Sequence, residues 1–312
     1  MKDETSLLRE KLRVCEEKLS RTTMVLQERN AELIGTRTFL TATDVYSSAE
    51  IIQMVNALNA DIFQLAAVVA DLFENEAVVA TEEERARNLD AVLGHLNAVF
   101  QVIGAELSLQ LTGTYKHLRQ DPFALQLAIQ AFITHTCMQK TQVFSENQGG
   151  QFMVLYKKIK SFEQRTVATR WRAIASAHIP DPDLSADTEA ATMGIKSILY
   201  LCLWSSSESQ IRVIESKAAA ILKLSYKLKK AMHEGIITGD METFIIPPGG
   251  HFNDSMENGY VVDKECDTAE KANRVLCTVG MGLKKVVMPV SKSGEVEMAL
   301  LVKPVVVLNG VF

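Results

Sequence analysis

Hydrophobic and polar positions along this chain keep a helical period for most of its length and change character once, near Gly235. Residues 5–40 mix charged and apolar positions with no proline and one glycine, Gly35, which predicts a single long helix. At 1.5 Å per residue it would be on the order of 50 Å long. A second helix is predicted in SAEIIQMVNALNADIFQLAAVVADLFE, where Ile51, Val55, Leu58, Ile62, Leu65, Val69 and Leu72 recur on one face. Ser47 or Ser48 can cap it. Ala60, Ala67 and Ala70 give it a second face of small residues, which predicts a central place in the core.

Thr81 and Glu84 match a capping box for a third helix running to about Leu111. A fourth opens on Asp121 and Pro122 and runs to about Phe144, with Gly149 and Gly150 read as a break. The fifth, QFMVLYKKIKSFEQRTVATRWRAIASA, ends before Pro180 and Pro182, which cannot continue a helix. Ser185 or Asp187 opens the next, and the pattern stays helical to Gly235, interrupted near Ser205, which with Glu208 fits another capping box. Six or seven helices are expected.

Beyond Gly235, KKVVMPV, EVEMALLV and VVVL read as strands, with SKSG as a hairpin link. Pro289 and Pro304 push their strands towards sheet edges. The expected fold is therefore mainly α: a coiled-coil-like helix over residues 1–44, a multi-helix bundle over 45–235 and a small β-rich C-terminal segment over 236–312.

The long first helix carries the strongest functional signal. Leu12, Leu19, Leu26, Leu33 and Leu40 recur every seventh residue. A coiled coil needs two apolar positions per heptad. With the leucines at a, the d positions are Leu8, Cys15, Thr22, Arg29 and Thr36; with the leucines at d, the a positions are Arg9, Glu16, Thr23, Asn30 and Arg37. Either seam is half polar. The first frame alone offers attractive pairs across a parallel dimer, Lys11 with Glu16′ and Glu32 with Arg37′. Two readings follow, a weak parallel homodimer or a helix folded onto its own body. No basic region precedes the leucines, and the net charge is -5, so nucleic acid is disfavoured as a partner.

Two later segments are locally basic. Tyr156–Arg172 holds Lys157, Lys158, Lys160, Arg165, Arg170 and Arg172 against Glu163 alone, and Arg212–Glu234 holds Lys217, Lys223, Lys227, Lys229 and Lys230. These can present a surface to an acidic protein, a phosphate-bearing ligand or an anionic membrane face, or be ordinary solvated helix faces. No run long enough to span a bilayer is free of polar interruption: Pro122–Gln139 carries Gln126, Gln130 and His135.

Other chemistry is sparse. His178, Asp181 and Asp183 cluster in HIPDPD, and His251, Asp254 and Cys266 fall in the tail, but neither set has zinc-site spacing. No nucleotide-binding loop or nucleophile elbow is present; TVGMGLKK contains a GMG between strand-like runs, where no helix N-terminus would receive a phosphate. No cofactor is implied. The five scattered cysteines, Cys15, Cys137, Cys202, Cys266 and Cys277, read as reduced thiols, and MKDETSLLREKLR has no secretory apolar run, so cytoplasm is expected, with the nucleus open.

KLRVCEEKLSRTTMVLQERNAEL, SAEIIQMVNALNADIFQLAAVVAD and LLVKPVVVL together resemble a family of uncharacterised proteins from basidiomycete fungi, over most of the chain. The resemblance implies a fungal cytosolic or nuclear protein and carries no activity, ligand or catalytic residue. The residues themselves point to a non-enzymatic interaction or scaffold protein that self-associates through its first helix. The alternatives are a peripheral binder of anionic membranes and an enzyme with an unfamiliar pocket between helices.

Overall fold

The structure, a computed structural model, describes the backbone of all residues except 1, 41–42, 77, 80–81, 113–121, 145, 261–272, 288–296 and 312; side chains are described for 10–36, 43–75, 83, 92, 94–112, 122–144, 150–204, 206–260, 273–286 and 298–311. The chain is mostly helical with a small C-terminal β portion, and it divides into two units, Met1–Thr43 and Asp44–Phe312. The helical segment from residue 45 and the β-rich tail belong to the same compact unit.

Unit one is a single helix, α1 (Lys2–Leu40). Arg13 bridges Glu10 and Glu17 at 2.7 and 2.9 Å, and Arg29 pairs with Glu32 at 2.8 Å. Such i,i+3 and i,i+4 pairs support a helix whose described residues are all exposed.

Unit two opens with a clasp. The Asp44 carboxylate accepts hydrogen bonds from the amides of Ile237 and Thr238 and from the Thr238 hydroxyl, while the Val45 amide donates to Gly235 O at 2.7 Å. Burial alone would raise the Asp44 pKa, but these donors hold it below the usual carboxylate range. Next comes α2 (Ser48–Glu76), started by a reciprocal box: the Glu50 amide donates to Ser47 Oγ at 3.2 Å and the Ser47 amide to Glu50 Oε2 at 2.7 Å. After β1 (Val78–Val79) come α3 (Glu82–Ile103) and α4 (Ala105–Leu111). The Thr81–Glu84 box lies outside the described side chains. One helix was expected over these last two, but Gly104 breaks it with φ 81°. A Cβ there would lie 2.9 Å from Pro248, so only glycine lets the chain turn against that ring.

The centre belongs to α5 (Pro122–Thr141) rather than α2. Its buried residues, among them Leu125, Leu127, Ile129, Ile133 and Cys137, point in every radial direction, as a wholly internal helix requires. It packs on α2, α3, α8 (Leu184–Leu201), α9 (Glu208–His233) and the sheets. By length and composition Ser48–Asn75 is one described helix that could cross a membrane, yet its apolar face, Ile51 to Val69, is buried in this core.

Gly149 and Gly150 do not end the chain's helical run; they lie inside α6 (Glu146–Phe162). The expected fifth helix is instead divided at Glu163–Gln164, between α6 and α7 (Arg165–His178). No glycine or proline marks this break. Tertiary packing does: folding α6 back stacks Tyr156 on Trp171, ring centroids 6.0 Å apart, with Phe144 edge-on to both. The cap of α8 is Asp183, which accepts from the Ser185 and Ala186 amides, rather than Ser185 or Asp187. The cap of α9 is Ser207 with Gln210 in a full capping box, two residues on from the expected Ser205; Ser205 belongs to β2 (Trp204–Ser205), paired antiparallel with β1.

Two three-stranded sheets close the unit. One runs β3 (Asp240–Phe244), β6 (Gly282–Val287), β7 (Glu297–Val302), all antiparallel; the other runs β4 (Glu257–Asn258), β8 (Val305–Leu308), β5 (Val275–Gly280), with β4 parallel to β8. β6 and β7 are antiparallel neighbours as the SKSG reading expected, although residues 288–296, with Pro289, lie outside the described ones. Pro304 occupies no edge strand; it sits between β7 and the central β8. The chain passes between the sheets three times, once over residues 245–256 and twice at tight corners, Met281 and Lys303–Pro304. These corners touch: Cβ atoms added at Gly280 and Gly282 would fall 3.2 Å from Val305 and 2.9 Å from Pro304. The GMG of TVGMGLKK is therefore a close-packing device. Asn59 of α2 fixes it, donating to Met281 O and accepting from its amide, both at 3.0 Å.

Candidate interaction surfaces

In α1 the four described leucines of the register, Leu12, Leu19, Leu26 and Leu33, are between 58% and 68% exposed. Leu40 lies outside the described side chains. With the leucines at a, Arg13, Glu10 and Glu17 occupy the outer b and f positions, so their ion pairs leave the seam clear. Lys11 and Glu16, the N-terminal cross-pair of that frame, make no ion pair among the described residues and are exposed. Glu32 is already engaged by Arg29, itself a d residue. The first half of the helix is thus better prepared for a partner than the second.

The basic segments separate into inward and outward groups. Arg172 is not part of any surface: at 1% exposure it is the largest fully buried side chain. It donates to Asp240 and to the carbonyls of His233, Ile236 and Gly239. Asp240 also accepts from the Tyr156 hydroxyl at 2.6 Å and pairs with Lys160 at 2.5 Å, so Lys160 is likewise drawn inward. Burial would raise the Asp240 pKa, but Arg172 and Lys160 hold it below the usual range. Burial, the nearby carboxylate and its hydrogen bond raise the Tyr156 phenol well above its ordinary value. His233, buried alongside, donates from Nε2 to Thr141 O at 2.8 Å and is pushed down to about 3 by burial and by the Arg172 charge. It is a neutral core imidazole. This network ties α6, α7 and α9 to β3, and its depression, lined by Tyr156, Lys160, Arg165, Ala168, Thr169, Asp240 and Val286, leaves no room for a ligand.

Lys157, Lys158 and Lys227 face solvent and make no ion pair among the described residues, while Arg170 is half-buried on α7. Lys230 is exposed and reaches Asp181 at 2.7 Å. Lys229 is half-buried beside a shallow cleft of about 30 Å³ whose walls also hold Asp181, Tyr226, Lys230 and Glu234. Burial and Lys140 lower its pKa, and burial raises that of Glu234. Nearby, Lys140 pairs with Asp187 at 2.7 Å, and Tyr226 donates to the same carboxylate. Positive and negative groups balance around this cleft.

The HIPDPD residues scatter into separate jobs. His178 Nδ1 bonds Ile174 O, Asp181 pairs with Lys230 and Asp183 caps α8. His251 forms a bridge with Arg274, and Cys266 lies outside the described residues. No group of three potential metal ligands occurs among the described residues. Cys15 is an exposed thiol, whereas burial pushes Cys137, Cys202 and Cys277 up to about 12.

One feature escaped sequence reasoning. The outer face of α6 exposes Val154, Leu155 and Phe162, the last at 79%, and Phe152 sits at its edge, 39% exposed with its ring 5.8 Å from that of Phe144. The 3,4,3 spacing of Phe152, Leu155, Ile159 and Phe162 was the signal, hidden among the lysines of the same segment.

The chain matches no family model, no curated protein and no solved structure.

Proposed function

We propose that this chain is a non-enzymatic interaction protein that self-associates weakly through parallel pairing of α1 and presents its helical unit as a scaffold. One observation carries the reading: four leucines in strict seven-residue register stand exposed along one helix of 39 residues. Pairing with a second copy would cover the one apolar edge of this helix. The half-polar seam makes the association weak, and the clear N-terminal half places its strongest part around Leu12 and Leu19.

Sedimentation of the full chain tests it. A concentration-dependent monomer–dimer equilibrium in the micromolar range is expected, abolished by the double substitution Leu19→Glu/Leu26→Glu with the helical circular dichroism of the 44–312 unit kept. A wild-type chain that stays monomeric at several hundred micromolar sinks the proposal.

A further inference from the structure

We infer that the outer face of α6 is an interfacial anchor for anionic phospholipid bilayers. Val154, Leu155 and Phe162 are exposed there beside Lys157 and Lys158, with Phe152 partly exposed at the edge against Phe144, and neither lysine makes an ion pair among the described residues. The inner face is spent on the unit: Tyr156 is buried against Phe144 and Trp171, and Lys160 is held by Asp240. What remains outside is a helix surface with Phe162 as its aromatic anchor, Val154 and Leu155 beside it, Lys158 among them and Lys157 on one flank, while Phe152 sits at the edge against Phe144, the pattern of a helix lying in the headgroup plane. Aromatic rings and leucine enter the acyl boundary while lysine stems lie along it and their ammonium groups reach the phosphates.

Two quantities favour a bilayer over a protein. The four apolar side chains expose roughly 400 Å², about half of the ~800 Å² per partner that a stable protein interface covers. A bilayer needs no matching groove. Among the described residues of this stretch the only exposed acid is Glu163, against Lys157 and Lys158 and the half-buried Arg165, so the patch is locally cationic in a chain of net charge -5. That local sign suits a lipid surface rich in negative headgroups.

The test is cosedimentation of the full chain with vesicles of phosphatidylcholine alone and with 30% phosphatidylserine, at low salt. Binding to the anionic vesicles only is expected. Lys157→Glu/Lys158→Glu should weaken it by about twenty-five-fold or more, at roughly fivefold per lysine lost, and Leu155→Ser/Phe162→Ser should weaken it by tenfold or more. Both pairs are exposed, so their thermal melts should match wild type, which separates lost binding from lost folding. No binding to anionic vesicles, or full binding by Leu155→Ser/Phe162→Ser, overturns the inference. So does a change of sedimentation coefficient caused by that variant without lipid, which would make the stripe a protein contact. Because the anchor is on α6 and the proposed dimer seam on α1, Leu19→Glu/Leu26→Glu tests the function separately.

Discussion

His233 shows how one buried side chain sets a pH limit. Its imidazole is enclosed, donates once to Thr141 O, and faces the Arg172 guanidinium, Lys229 and Asp240. Burial and Arg172 hold its folded pKa near 3, well below the ordinary value of about 6.5. The unfolded chain therefore binds a proton between these values that the folded chain refuses. Stability from this group is complete above pH 6.5 and falls as the pH drops, by up to about 1.4 kcal/mol per pH unit. Asp240 cannot account for loss in that window: its folded pKa is depressed, so its contribution is kept until the pH falls below the usual carboxylate range. His233→Gln, whose amide can still donate to Thr141 O, should flatten the decline of urea midpoint between pH 7 and 5; a variant as acid-sensitive as wild type would refute the assignment. None of this was legible beforehand. Arg172 sat in a run of surface-like cations and Asp240 lies 68 residues away, so only the fold could reveal their pairing. Once buried, the pair is interdependent: removing Asp240 would leave Arg172 an uncompensated charge in the core, and removing Arg172 would leave Asp240 to Lys160 and Tyr156.

At the scale of elements, some starts and the proline break before Pro180 were readable, and breaks set by distant packing were not. Pro122 opens α5, and the Ser47–Glu50 box opens α2, because caps are satisfied by side chains within three residues. The other breaks answer to distant packing. Gly104 was passed over because Leu96, Phe100, Ile103 and Leu107 keep a helical period straight through it, while Gly149 and Gly150 were given weight they lack inside α6. The bend at Gly104 depends on the absence of a side chain for two reasons at once, the positive φ and the 2.9 Å approach of Pro248. Gly104→Ala should therefore destabilise the unit by about 1–3 kcal/mol, measured by chemical denaturation against Gly94→Ala. Gly94 lies in a helix with open space around it, so that control should be neutral or slightly stabilising.

For the whole molecule, the mainly helical architecture with a late β portion was legible because both periods run long enough to dominate their windows. That helices and strands make one unit was not, since the joining contacts, such as Asn59 with Met281, span 222 residues. The proposed parallel, in-register α1 dimer makes a geometric prediction of its own. Cys15 occupies a d position and is exposed, so its Cα would face Cys15′ at a separation a disulfide can close, roughly 4.4–6.8 Å. Mild oxidation should give a covalent dimer on non-reducing gels that Cys15→Ser abolishes; Cys137, Cys202 and Cys277 are buried and should contribute nothing. An antiparallel pair would leave the two thiols far apart and uncrosslinked. If α1 is the strand by which copies hold each other, it is also the line along which they are pulled. Load arriving at residue 43 meets the Asp44 clasp first, four hydrogen bonds to residues 235–238, before it reaches α2. The chain enters its folded body at this clasp, so a pull along α1 would reach the Gly235–Thr238 segment first and pass, through the Ile236 carbonyl, to the buried Arg172.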